Sequence, residues 1–460
     1  MTSGKDYLGN PVSTGDASIL AGVDDFIGGF LSYQTRAAGI LKTAAAAPDS
    51  VLANAYAAAL FLMLESPQGP VRARPFLDRA AAADGANSRE AAFVAFLTAW
   101  TEGDIPLALR LSEAIVAQWP RDLTTVKLHQ YLTFGLGDAP GMLRIAANAA
   151  PACLDVPQIH GMLAFGYEQC HLLAEAEGAA HRALELTEHE PWAQHALAHV
   201  MLTQGRIDEG ERFMAAAAPG WNDLNSFMVT HNWWHLALFR ISQGRAEAAI
   251  EVYDRQCWAH DKDYSQDQVG AVSLLARLEL AGFDVGDRWA DVADRLAVRA
   301  PDVEQPFLAL HYLYGLTRAR RPEAIAQMDA IREQARSAPP FSRLAWSRGA
   351  LPAAEGVVAF LSGRPDAAIE ALNTASPNLF RVGGSHAQRD LFDQVRLAAM
   401  IQAGHWREAQ QALESRRVFE PDGVPLNRAL GRIYVALGLP DQAAVAERRA
   451  TVRELSMTVN

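Results

Sequence analysis

The side chains best suited to chemistry are a cluster of histidines. Eight of the 13 His lie between His160 and His235. Four of these form two pairs, His195/His199 in PWAQHALAHV and His231/His235 in HNWWHLAL. On a helix, an i,i+4 pair sits on one face, one turn apart, and can offer two imidazoles to one ligand. Imidazole ordinarily titrates near neutrality, so such pairs suit acid–base work, with a carboxylate to orient the ring. Glu168, Asp267 and Asp390 are the carboxylates available for that task. Metal ligation is the lesser reading: HALAH and HNWWH both lack the Glu of HExxH, so no metal or other cofactor is assigned, although a divalent ion such as zinc fits the ligand types. Of Trp233 and Trp234, one is expected in the core, and Trp234 can wall a ligand site beside the imidazoles. No Walker loop, GxSxG elbow or strand-borne GxGxxG occurs, and no base is placed beside Cys170.

The elements that must position these residues are helix pairs. Apolar helices alternate with Gly or polar turns, and a small residue recurs early in each second helix. Gly205 with Gly210, Gly244 with Ala249, Gly404 with Ala409 and Gly438 with Ala443 fill those two roles. Gly363 with Ala368 and Gly103 with Ala108 are weaker copies, and the last two strong ones stand 34 residues apart. This spacing resembles the tetratricopeptide repeat, whose antiparallel helices approach closely at small residues and stack into an α-solenoid. An all-α superhelix is therefore expected over 18–455, as a single array between an N-terminal extension (1–17) and a C-terminal tail (456–460). Pro-containing stretches near 68–75, 338–340 and 421–425 read as loops within it. With the turn glycine at position fifteen, His195 and His199 fall at positions five and nine, and His231 and His235 at two and six. Such positions face the concave groove, and Glu168, at position twelve of the preceding repeat, should approach the same space. The remaining His171, His181, His189, His260 and His405 fall at turns or on second helices and read as surface residues.

Composition narrows the class. The 460 residues are half hydrophobic, so a disordered chain is excluded. The 41 basic and 53 acidic residues leave a net charge of −12, which disfavours nucleic acid as a partner. Lys occurs only at Lys5, Lys42, Lys127 and Lys262, a bias in keeping with a GC-rich bacterial genome. Three Cys without a CxxC suggest reduced thiols in a cytoplasmic setting. The N-terminal segment lacks a signal-like apolar run, and the longest apolar stretch, Ala55 to Leu64, is too short to span a bilayer.

Several blocks go beyond what repeat packing demands: GNPVSTGD near the start, FGYEQ (165–169), PWAQHALAHV (191–200), HNWWHLAL (231–238), GFDVGDRW (282–289), LALHYLYG (308–315) and GGSHAQRDLFDQ (383–394). Through them the chain resembles the family typified by the vertebrate cytosolic tetratricopeptide repeat protein conventionally numbered thirty-eight. The resemblance implies a superhelix whose polar interior is lined by His195, His199, His231, His235, Asp267, His311, Gln388, Arg389 and Asp390. It supplies no reaction, and His386 departs from the family pattern, where an amide-type residue is usual.

These far-apart segments converge only if the coil closes, so an enclosed pocket is expected. Arg389, in the first turn of a helix entered from a Gly-hinged loop, is expected to hold an anionic group, assisted by backbone amides. The leading functional reading is a small polar or anionic molecule bound in a His-rich pocket, with or without His/carboxylate catalysis. The alternative is a protein-interaction scaffold binding a peptide in the groove, or a homodimer. A chaperone-type clamp is not supported, because Lys is nearly absent and His occupies positions five and nine.

Overall fold

The computed structural model describes residues 4–458, with side chains through Leu455. The expected tail begins inside the last helix, Pro440–Thr458, and its final two residues lie outside the described range. Apart from a two-stranded hairpin (Gly4–Lys5 with Pro11–Val12), the regular elements are helices, and the fold is an all-α, tetratricopeptide-like helical repeat. No described helix is long and apolar enough to cross a membrane. The chain divides into two compact units, one comprising residues up to Leu197 plus Gly220–Met228, the other Ala198–Pro219 plus Val229 onward.

In the first unit, neighbouring helices pair antiparallel: Val51–Leu62 with Gln68–Ala82, Ser88–Thr101 with Ile105–Gln118, Leu123–Gly135 with Ala139–Ala149, and Pro157–Gln169 with Leu173–Leu186. The first helix of each pair is buried nearly all round, whereas the second is amphipathic and closes against it through fully buried alanines such as Ala108, Ala146 and Ala180. The stretch 68–75, expected as a loop, lies inside the helix Gln68–Ala82. Pro70 falls in its first turn, where no N–H is needed, and Pro75 is solvent-exposed, so the carbonyl it leaves without a partner can meet water. The N-terminal residues are built into this unit. Arg89, 1% exposed, donates to Asp122 at 2.9 Å and pairs with Asp6 of the hairpin at 3.5 Å.

The second unit repeats the scheme with Pro306–Arg318 and Glu323–Ser337, Leu351–Leu361 and Pro365–Ala375, His386–Ala403 and Trp406–Arg417, and Val424–Ala436 and Pro440–Thr458. Two glycines show why the repeat demands them. At Gly210 an added Cβ would lie 2.2 Å from the Phe239 ring, so only Gly allows that approach. Gly205 turns with φ +70°, and a Cβ there would meet the Phe419 carbonyl oxygen at 1.6 Å. The helices Ser265–Leu280 and His386–Ala403 pack on each other despite their distance in sequence, and that contact builds the site.

Candidate functional site

Two helices carry the imidazole cluster of the second unit. His199 lies on Pro191–Thr203, and His231 and His235 lie on Ser226–Ser242. Ring centroids of His199 and His235 are 4.5 Å apart, and those of His231 and His235 are 4.9 Å apart. One nitrogen from each of the three lies within 4.8 Å of the others. His199 and His235 are fully buried and His231 is 9% exposed. The groove face expected from the register is therefore covered: His386 brings its ring 5.5 Å from that of His199 and its Nε2 within 3.2 Å of Thr203 Oγ1. Trp234 is core, 1% exposed, and lies parallel to the His231 ring at 5.4 Å. Desolvation, reinforced by His199, holds His231 down at about 3, so its imidazole is neutral at physiological pH rather than poised near 7 as the acid–base reading expects.

A cavity of about 880 Å³ adjoins this cluster within the same unit, and His386 lines it. On its wall two guanidiniums share one carboxylate. Arg277 Nη1 lies 3.5 Å from Asp390, and Arg416 reaches the same carboxylate with both Nη atoms, one at 3.3 Å. Although burial raises it, Arg416 and Arg277 win and hold Asp390 well below the usual carboxylate range. Arg277 is 3% exposed; burial lowers it to about 10, which leaves it charged at neutral pH. It donates to the carbonyls of Ala387 (2.6 Å) and Gln388 (3.1 Å) and lies 5.4 Å from the Trp234 ring centroid. Glu420, also lining the cavity, accepts from Ser242, and burial pushes its carboxyl up. Asp393 and Glu447 at the cavity are paired with Arg396 and Arg428.

Other expected residues have different partners. Arg389 lines the cavity, but its guanidinium donates to the carbonyls of Gly383 and Gly384, both in the left-handed region, closing the loop before its helix. Ser385 and Gln388 form a capping box, so part of the amide set expected to receive an anion is already engaged. Asp267 accepts from Thr230 Oγ1 at 3.1 Å and from the Asp261 amide at 3.2 Å, fixing the start of the helix that leads into His231. His311 donates Nδ1–H to the Phe307 carbonyl at 2.8 Å, leaving a fully buried Nε2 without a partner among the described residues. Burial lowers His311 to about 4, with Arg277 adding to the effect and the Phe307 bond opposing it.

Glu168 and His195 belong to the first unit. Glu168 accepts from Gln169 at 2.6 Å, and His195 stacks on Trp192 at 4.4 Å. Sequence reasoning missed the first unit's buried Lys127. Its side-chain nitrogen donates to the carbonyls of Phe30 and Leu31 at a helix C-terminus and lies 3.1 Å from the Tyr33 ring centroid, a capping role. It also missed Arg277 and Arg416. Arg277 was signalled by being the one charge within the run Val269–Leu278, since a charge embedded in apolar sequence needs a buried partner.

No family model matches the chain. Among solved structures it is similar to the human IFIT1 dimer with PPP-AAAA (12% identity over 85% of this chain and 88% of that one, TM-score 0.40). It is also similar to the P58(IPK) TPR domain (13%, 79% and 92%, 0.22) and to yeast Tom70 (10%, 81% and 96%, 0.25). At these scores the likenesses carry no functional argument, and the repeat assignment rests on the chain's own helix pairs and turn glycines.

Proposed function

We propose that this protein binds a small anionic molecule in the cavity of its second unit. The observation that carries the reading is the wall where Arg277 and Arg416 share the single carboxylate of Asp390. With Arg389 and Arg432 also on the wall, four guanidiniums stand against the carboxyls of Asp390 and Glu420, since Asp393 and Glu447 have their own partners. That surplus favours a carboxylate or phosphate group, which planar guanidinium recognises with paired hydrogen bonds. The cavity volume of about 880 Å³ lies in the range of small-molecule sites.

The test is a thermal-shift panel of small carboxylates and phosphate monoesters against wild type, Arg416→Met and a distant control, Arg295→Met. At least one anion is expected to raise Tm in wild type and control but not in Arg416→Met. No stabilising anion, or stabilisation that survives Arg416→Met, refutes the reading.

A peptide-binding scaffold is the second reading. It is favoured by Phe380 and Phe419, which line the same cavity yet are 44% and 62% exposed. It predicts that Phe419→Ser abolishes capture of a peptide selected from a random library.

A further inference from the structure

We propose that His199, His231 and His235 form a buried mononuclear site for a divalent transition metal, with zinc the best-fitting ion. In a tetrahedral zinc site, nitrogens at about 2.0–2.1 Å from the metal stand about 3.3 Å from one another. The three imidazoles already offer nitrogens within 4.8 Å of one another, so small side-chain rotations close the set. Two rigid helices supply them. His231 and His235 stand one turn apart on Ser226–Ser242, and His199 arrives from Pro191–Thr203. Trp234, parallel to the His231 ring, limits its rotation, which is the restraint a preorganised ligand needs.

The ligand chemistry selects the class of ion. Three imidazoles with no carboxylate among them suit zinc, copper, iron or nickel, whereas magnesium and calcium require oxygen ligands. The absence of HExxH does not count against the site, because that motif describes two His on one helix with a Glu base, and here the ligands come from two helices. His386 borders His199 and lines the cavity, so the cavity adjoins the site.

The site does not depend on the anion reading, and its test uses no anion. Tag-free protein is stripped with chelator and titrated with Co²⁺, reading the visible ligand-field bands of tetrahedral cobalt, then back-titrated with Zn²⁺. One Co²⁺ per chain is expected, displaced by Zn²⁺, with a dissociation constant tighter than about 1 μM. His231→Asn and His235→Asn are each expected to weaken binding by at least about tenfold. His405→Asn, at an exposed imidazole, leaves it unchanged. X-ray absorption of the zinc-loaded wild type reports the ligands without any variant, with a shell of imidazole nitrogens expected. No tetrahedral cobalt spectrum, a shell containing a thiolate or only oxygens, or unweakened binding in the two folded variants overturns the proposal.

Discussion

The buried, neutral His311 makes the second unit acid-sensitive in a way that one substitution isolates. Its imidazole is held at about 4 in the fold against an ordinary 6.5. Between these values the unfolded chain binds a proton that the folded one refuses, so stability falls as pH drops from 6.5 toward 4. From pH 7 to pH 5 that difference amounts to about 2 kcal/mol for this one group. Wild type alone does not isolate it, because His231, held at about 3 in the same unit, works in the same direction over the same interval. The comparison is therefore His311→Asn against wild type at both pH values. The Asn amide can take over the Nδ1–H bond to Phe307, while the titration disappears. At pH 7 the variant is expected to be less stable by roughly 1–2 kcal/mol from lost ring packing. At pH 5 that gap should close or reverse, because only wild type loses the further 2 kcal/mol. Guanidinium unfolding followed by tryptophan fluorescence reads the gap, taking the transition that the substitution moves, since two compact units need not unfold together. An equal gap at the two pH values refutes the assignment of a buried neutral imidazole.

Three further outcomes test the packing. Gly210→Ala drives a methyl group against the Phe239 ring and should lower stability by about 1–3 kcal/mol, read as a Tm decrease. Gly178→Ala, on an exposed helical site with nothing within 4 Å, should raise stability by roughly 0.5–1 kcal/mol. Arg89→Met leaves Asp6 and Asp122 buried without their cation and should cost about 3–5 kcal/mol. Hydrogen exchange at residues 4–12 should rise in that variant, and unchanged protection there would show that the ion pairs do not hold the hairpin.

The helix pairs were legible because packing rules act locally. A turn that needs φ near +70° selects Gly, and a close helix crossing selects Ala or Gly, so Gly205, Gly210, Gly244 and Ala249 announce themselves in sequence. The His pairs were legible for the same reason, since i,i+4 spacing fixes a shared face. Long-range partners were not. Nothing local to Arg277 indicates that Ala387, Gln388 and Asp390 receive it. The covering of the groove face by His386 was also hidden, because the register identifies a face but not what packs on it. The loop-closing bonds of Arg389 were hidden as well, because the carbonyls of the two left-handed glycines before its helix need donors, and the nearest guanidinium supplies them. The N-terminal segment looked like an extension because it is polar, yet Asp6 is polar in order to meet Arg89.

The cluster's burial also changes which residue can do chemistry. Protonating an imidazole held at about 3 costs about 5 kcal/mol at pH 7, which offsets most or all of what general acid catalysis commonly returns. His231 is thus poorly suited to shuttle protons, although it remains well suited to donate an electron pair. The imidazole on the cavity wall is instead that of His386. It stands beside both Thr203 and His199, between the cavity and the buried cluster. If the two act together, His386→Ala should alter both the anion-induced thermal shift and the cobalt spectrum. If it alters only the first, the cavity is a binding site in its own right and the imidazole cluster works independently of its occupant.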